Sequence, residues 1–180
     1  MNDRITELRN SKSDISDMRG NQEIEFRYAK ASSKSNPAGK NHPVAWATAI
    51  DGEGQLKVVT MYTEGNMGNQ LHESRHGGQI ARGEYSFEQN KKPTAGFGIG
   101  SEVSAYRAQY SYDGNLNYID ASSALNQQIG ATGIIPPPST VTNIQAITPD
   151  FVGTKIGEVV SAVLNGTRYY GLINLYGHLK

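Results

Sequence analysis

The spacing of hydrophobic and polar positions changes several times along the chain, and each change marks an element. Residues 1–19 place Ile5, Leu8, Ile15 and Met18 at intervals of three, seven and three. That spacing predicts a weakly amphipathic helical arm ended by Gly20, either a docking arm or a packed lid. Residues 23–30 alternate, with Ile24, Phe26 and Tyr28 on one side and Glu25, Arg27 and Ala29 on the other, the period of a half-buried strand. Residues 32–41 read as a loop by composition. Val44 to Ile50 and Leu56 to Tyr62 are β-rich apolar runs around Asp51-Gly52-Glu53-Gly54-Gln55, which predicts a hairpin. Three strands therefore precede a helix from about Met67 to Arg82, which Asn66 or Asn69 can cap and Gly83 can end.

Residues 84–100 turn polar and then glycine-rich, which predicts a mobile loop, followed by a helix from Glu102 to about Tyr112 with Ser101 as its N-cap. The glycines at 96, 98 and 100 do not have the dinucleotide-binding spacing and follow a polar loop rather than a strand. Residues 120–128 read as another short helix, and 130–142, with Pro136-Pro137-Pro138, as irregular or extended chain. Thr148-Pro149-Asp150 is a helix start, and Val152, Ile156, Val159, Val160 and Val163 line one stripe of a helix running to about Leu164. The tail from 168 to 176 is β-rich and reads as a strand or a closing segment. No internal repeat is apparent, and the pattern predicts one α+β domain over residues 1–180.

Composition narrows the partners. Lys plus Arg and Asp plus Glu both number 17, so the net charge is zero and the electrostatic footprint of a nucleic-acid binder is missing. The absence of cysteine excludes disulfides, thiolate ligands and a cysteine nucleophile, so any metal must be held by His, Asp or Glu. The N-terminal segment has no continuous apolar stretch and reads as neither a signal peptide nor a membrane span. Export would require carriage as part of a longer chain.

The chemistry concentrates in His72-Glu73-Ser74-Arg75-His76, the pattern His-Glu-x-x-His. Two histidines four positions apart lie on one face of a helix, about 6 Å apart, where both imidazoles can reach one tetrahedral zinc, with the glutamate directed at the same place. A catalytic zinc takes three protein ligands and keeps one position open. A third histidine six residues after the second is absent, since Arg82 stands there, and His42 and His178 read as surface residues. The remaining candidates are Glu84, Glu88, Glu102, Asp113 and Asp120. Glu102 is the best placed, at the start of a second helix behind a loop long enough to reverse the chain. Its competing role is that of an acid favoured at a helix N-terminus.

The combination HESRHGGQ, a loop, and SEVSAYRAQ resembles the HExxH-loop-E core of the gluzincins, the glutamate-type zinc metallopeptidases. It is also similar to the metallopeptidase toxin domains of bacterial polymorphic toxins and Rhs-type effectors, in which a Glu-x-x-Ala-Tyr-x-x-Gln helix follows a His-Glu-x-x-His-Gly helix. The similarity covers residues 70–112. It implies a zincin-like fold, a small, mostly antiparallel sheet packed on the motif helix and on a second helix carrying the third ligand. The implied ligands are His72, His76 and Glu102 on Zn2+, with Glu73 as general base and proton carrier. Tyr106 is the candidate donor to the developing oxyanion, with Tyr85 and His178 behind it, although packing is its competing role. Gln79 and Gln109 are candidates to orient ligands, and Arg75 is expected in a surface ion pair.

The implied activity is zinc-dependent hydrolysis of a peptide bond, by an effector or toxin delivered on a larger chain and acting in a target cell. An extended protein or peptide substrate would lie against a sheet edge beside the motif helix. A self-poisoning enzyme of this kind needs an immunity protein as partner. Two other readings stand beside it: a non-catalytic binding or delivery module on the same scaffold, and a zinc amidase acting on cell-wall peptide. The intact Glu73 argues against the first.

Overall fold

The computed structural model describes residues 2–87, 93–95, 98–117, 140–149, 160–164 and 167–171. It has an α+β architecture with three helices and a small mixed sheet among these residues. The elements follow in the order α1 (Asn2–Gly20), β1 (Glu25–Lys30), β2 (Val44–Ile50), β3 (Leu56–Thr63), α2 (Met67–Ala81), β4 (Ser86–Phe87), β5 (Pro93–Ala95), α3 (Ile99–Asp113), β6 (Leu116–Asn117), β7 (Thr140–Val141), β8 (Val160–Leu164) and β9 (Thr167–Gly171). The expected hairpin forms, with β2 antiparallel to β3 and register shifts near Ala47 and Ala49. β1 pairs parallel to β3 on its other side, so the main sheet runs β1-β3-β2 and is mixed. Alternation within β1 gives its faces and not its direction in the sheet.

α2 follows the predicted bounds because its ends carry the right chemistry. The Asn66 side chain accepts from the Asn69 backbone N–H at 2.8 Å, and Gly83 takes φ 74 just past the end. Every residue from Leu71 to Ile80 is buried. α2 packs on the sheet through Ile80, which joins Val59, Met61, Met18 and Tyr85 in one core. A second core joins Val103 and Tyr110 of α3 to Leu116, Val141, Ile144 and Ile147.

The N-terminal arm packs, but of the predicted series Ile5, Leu8, Ile15 and Met18 only Met18 is buried. Ile5, Leu8 and Ile15 are exposed, whereas Ser11, Asp14 and Met18 are buried against the other helices. The cause lies in α2: a Cβ on Gly78 would meet the Asp14 backbone Cα at 2.8 Å, and one on Gly77 would collide with the Met18 sulfur. The glycine pair lets the two helices approach closely along a mostly polar seam. Arg4 completes the packing by donating from Nε to the Ser111 carbonyl and from Nη2 to that of Tyr112, both at 3.1 Å, satisfying the last turn of α3.

Three further expectations change. α3 starts at Ile99 with Gly98 in the cap position, so Ser101 lies inside the helix and is free for another role. The polar segment after α2 contains the short antiparallel pair β4–β5. Residues 160–164 form β8, antiparallel to β9, instead of the end of a helix. Leu164 pairs with Thr167 across Asn165-Gly166, and an Asn-Gly pair between β-rich runs is a strong hairpin signal that outweighs the valine stripe. The predicted helix at 120–128, the body of the one from 148, and His178 lie outside the described residues.

Candidate metal centre

Two helices bring the site together. α2 carries His72, Glu73 and His76, α3 carries Glu102 in its first turn, and all four side chains are buried. Ionisable groups are seldom buried without a partner, and here they are buried on one another. His72 Nε2 lies 3.5 Å from Glu102 Oε2, and His76 Nε2 lies 3.3 Å from Glu102 Oε1. One donor atom from each of His72, His76 and Glu102 falls within 4.8 Å of the other two, a spacing that could hold a metal ion.

Two arrangements bear on this spacing, a direct pair and a shared ion. A charge-assisted N–H···O bond closes to about 2.7–2.9 Å. Two ligand atoms bound to one tetrahedral zinc at about 2.0–2.1 Å lie roughly 3.3 Å apart. The separations of 3.5 and 3.3 Å lie near the second case and also within hydrogen-bond reach, and the donor set, two imidazoles and a carboxylate, suits zinc among other divalent metals.

Electrostatics favours a proton at the same place. Burial works against a charged His76, and the Glu102 carboxylate beside it more than reverses that, pushing its pKa up to about 9. Burial equally opposes the Glu102 carboxylate, and the two histidines overcome it, holding Glu102 well below the usual carboxylate range. The pocket is thus built to place positive charge against Glu102. A proton and a metal ion compete for the same imidazole lone pair.

Glu73 stands apart from that set. Its Oε1 is 4.0 Å from His72 Nε2, and its Oε2 is buried without a hydrogen-bond partner among the described residues. Burial raises its pKa, and His72 and His76 pull it only part of the way back. The backbone of Ala45, on edge strand β2, hydrogen-bonds to the Glu73 carboxyl. A carboxyl raised toward neutrality and left with an open oxygen has the character of a general base.

The two histidines are held unequally. His76 Nδ1 meets the Tyr85 hydroxyl at 3.0 Å, the Ser101 hydroxyl at 3.2 Å and Gln79 Oε1 at 3.3 Å. Tyr85 and Ser101 also contact one another, and both donate to Gln79 Oε1. His72 Nδ1 has no hydrogen-bond partner among the described residues. The Tyr106 ring stands edge-on to His72 with centroids 4.5 Å apart, and burial, then Glu102 and Glu73, raises its pKa so that the phenol keeps its proton.

The structure therefore brings together His72, His76, Glu102, Glu73, Tyr106 and Gln79. Gln109 instead donates to Asp113, away from the cluster, and Glu84 pairs with Arg82. His42 is exposed, while Glu88 and Asp120 lie outside the described residues. Arg75 is only 5% exposed and not a surface residue. Its Nε donates to Asp14 Oδ2 at 2.6 Å, Nη2 to Glu7 Oε2 at 2.9 Å and Nη1 to Ser104 Oγ at 2.6 Å. Sequence reasoning missed Ser101, Ser104, Asp14 and Glu7. The signal for the last two was the Gly77-Gly78 pair, which marks a close helix contact.

Comparison with protein-family models, with curated proteins and with solved structures found no match to this chain.

Proposed function

We propose that the chain is a zinc-dependent peptidase. The single observation that carries this reading is the convergence of one donor atom from each of His72, His76 and Glu102 within 4.8 Å of one another, with Glu73 beside them. Zinc held by those three residues with one open position would acidify a water and polarise a carbonyl. Glu73 takes the proton from the attacking water and hands it to the leaving amine, a role that suits its raised pKa and open oxygen. Tyr106, which retains its phenolic proton, donates to the developing oxyanion.

A peptide substrate is supported by β2. It is an edge of the main sheet, and its Ala45 backbone reaches Glu73, so an extended segment added along that edge would pass the base. Delivery on a larger chain into a target cell, with an immunity protein as partner, rests on the resemblance of residues 70–112 to toxin metallopeptidases. No helix among the described residues is long and apolar enough to cross a membrane.

Glu73→Gln tests the reading. It should keep stoichiometric zinc while abolishing cleavage of an unstructured protein substrate and any toxicity on expression. Cleavage that survives the substitution would remove Glu73 as the base and the mechanism with it.

A further inference from the structure

The two ligand-bearing helices are tied together by a side chain whose hydrogen bonds go to none of the proposed ligands. Arg75 lies between His72 and His76 in α2, and its guanidinium reaches both neighbouring helices: Asp14 and Glu7 on α1, and Ser104 on α3, two residues beyond Glu102. A buried guanidinium is stable only when its fork of donors is satisfied, and a fork shared among three fixed partners sets distances between the elements that carry them. Small residues of α3, Ala105 and Ala108, are fully buried, so the helices lie close and a change in spacing is not absorbed by long side chains. Gly78 meets α1 at the backbone of Asp14, the residue that accepts from Arg75 Nε.

We propose that Arg75 is a positioning residue of the metal centre, fixing α2 against α3 so that His72, His76 and Glu102 converge, and that α1 is part of the centre because it supplies Asp14 and Glu7. The inference rests on the metal reading above. It turns the N-terminal arm from an appendage into a support of the site. Arg82 provides the internal contrast: it also binds Asp14 at 2.9 Å, along with Asp17 and Glu84, but is bonded to nothing on α3 among the described residues.

The test uses the full chain, with zinc and cobalt(II) as probes. Ser104→Ala removes the tie to α3 alone, Ser104→Thr keeps the hydroxyl, and Arg75→Lys keeps the charge but cannot span three partners. Ser104→Ala and Arg75→Lys should weaken zinc binding by about tenfold or more and shift the cobalt ligand-field bands, with Ser104→Thr restoring both. Arg82→Ala should lower the melting temperature of the metal-free chain and leave zinc affinity unchanged. Unaltered affinity and spectrum in Ser104→Ala would overturn the inference, and this variant decides alone if Arg75→Lys does not fold. An equal loss in Arg82→Ala would also overturn it, because the effect would then be general loosening. If the unaltered chain takes up neither ion, the metal reading itself fails and the inference falls with it.

Discussion

His76 and Glu102 meet at 3.3 Å between Nε2 and Oε1, across the interface of α2 and α3. That separation is longer than a strong charged hydrogen bond and compatible with two ligands of one small ion. Glu102→Ala should therefore weaken zinc binding by well over tenfold and remove the rise in melting temperature on adding zinc. Zinc affinity equal to that of the unaltered chain would place the third ligand elsewhere.

The partners of His76 Nδ1 yield a second prediction. Tyr85→Phe deletes a hydroxyl that contacts His76, Gln79 and Ser101. Loss of such an outer partner costs about 10–100-fold in metal affinity or activity. Competition with a chromophoric chelator measures it, and a change below twofold would mean that Ser101 and Gln79 hold the ring without Tyr85.

Tyr106 separates from Tyr85 by its readout. As an oxyanion donor, it should reduce kcat by about 10²–10³-fold when replaced by Phe, with zinc affinity unchanged. If Tyr106→Phe instead leaves kcat intact and lowers only the melting temperature, the residue serves packing alone.

Glycines on two helices should respond in opposite directions. Gly78→Ala forces a methyl group against the Asp14 backbone, and overpacking of about 1–3 kcal/mol exceeds the gain of about 1 kcal/mol from replacing a helical glycine. Gly100, in the first turn of α3, has nothing within 4 Å of the added carbon, so Gly100→Ala should stabilise by up to about 1 kcal/mol. Chemical denaturation of the metal-free variants checks both signs.

Much of the centre could be read from the residues because its chemistry is local. His72, Glu73 and His76 are fixed by the period of one helix, and Glu102 follows from the need for a third ligand at a helix start. What could not be read depends on contacts between distant segments. α1 shows a visible apolar series, Ile5, Leu8, Ile15 and Met18, but its buried side is set by where Gly77 and Gly78 allow approach, which keeps Met18 and adds Ser11 and Asp14. Arg75 looks like a surface cation until α1 and α3 close over it. Ser101 reads as an N-cap, yet the helix starts two residues earlier and turns its hydroxyl toward His76. At the C-terminal end, the valine stripe has the helical period, and the pairing of Leu164 with Thr167 across Asn165-Gly166 decides for a strand over 160–164.

The central claim is that His72, His76 and Glu102 hold one zinc ion. Anomalous diffraction from a crystal of the zinc-loaded chain, recorded on both sides of the zinc absorption edge, tests it most directly. The account predicts a single strong zinc peak bounded by His72 Nε2, His76 Nε2 and a Glu102 carboxylate oxygen. A zinc peak at other residues, or none at these three at full zinc loading, would contradict it.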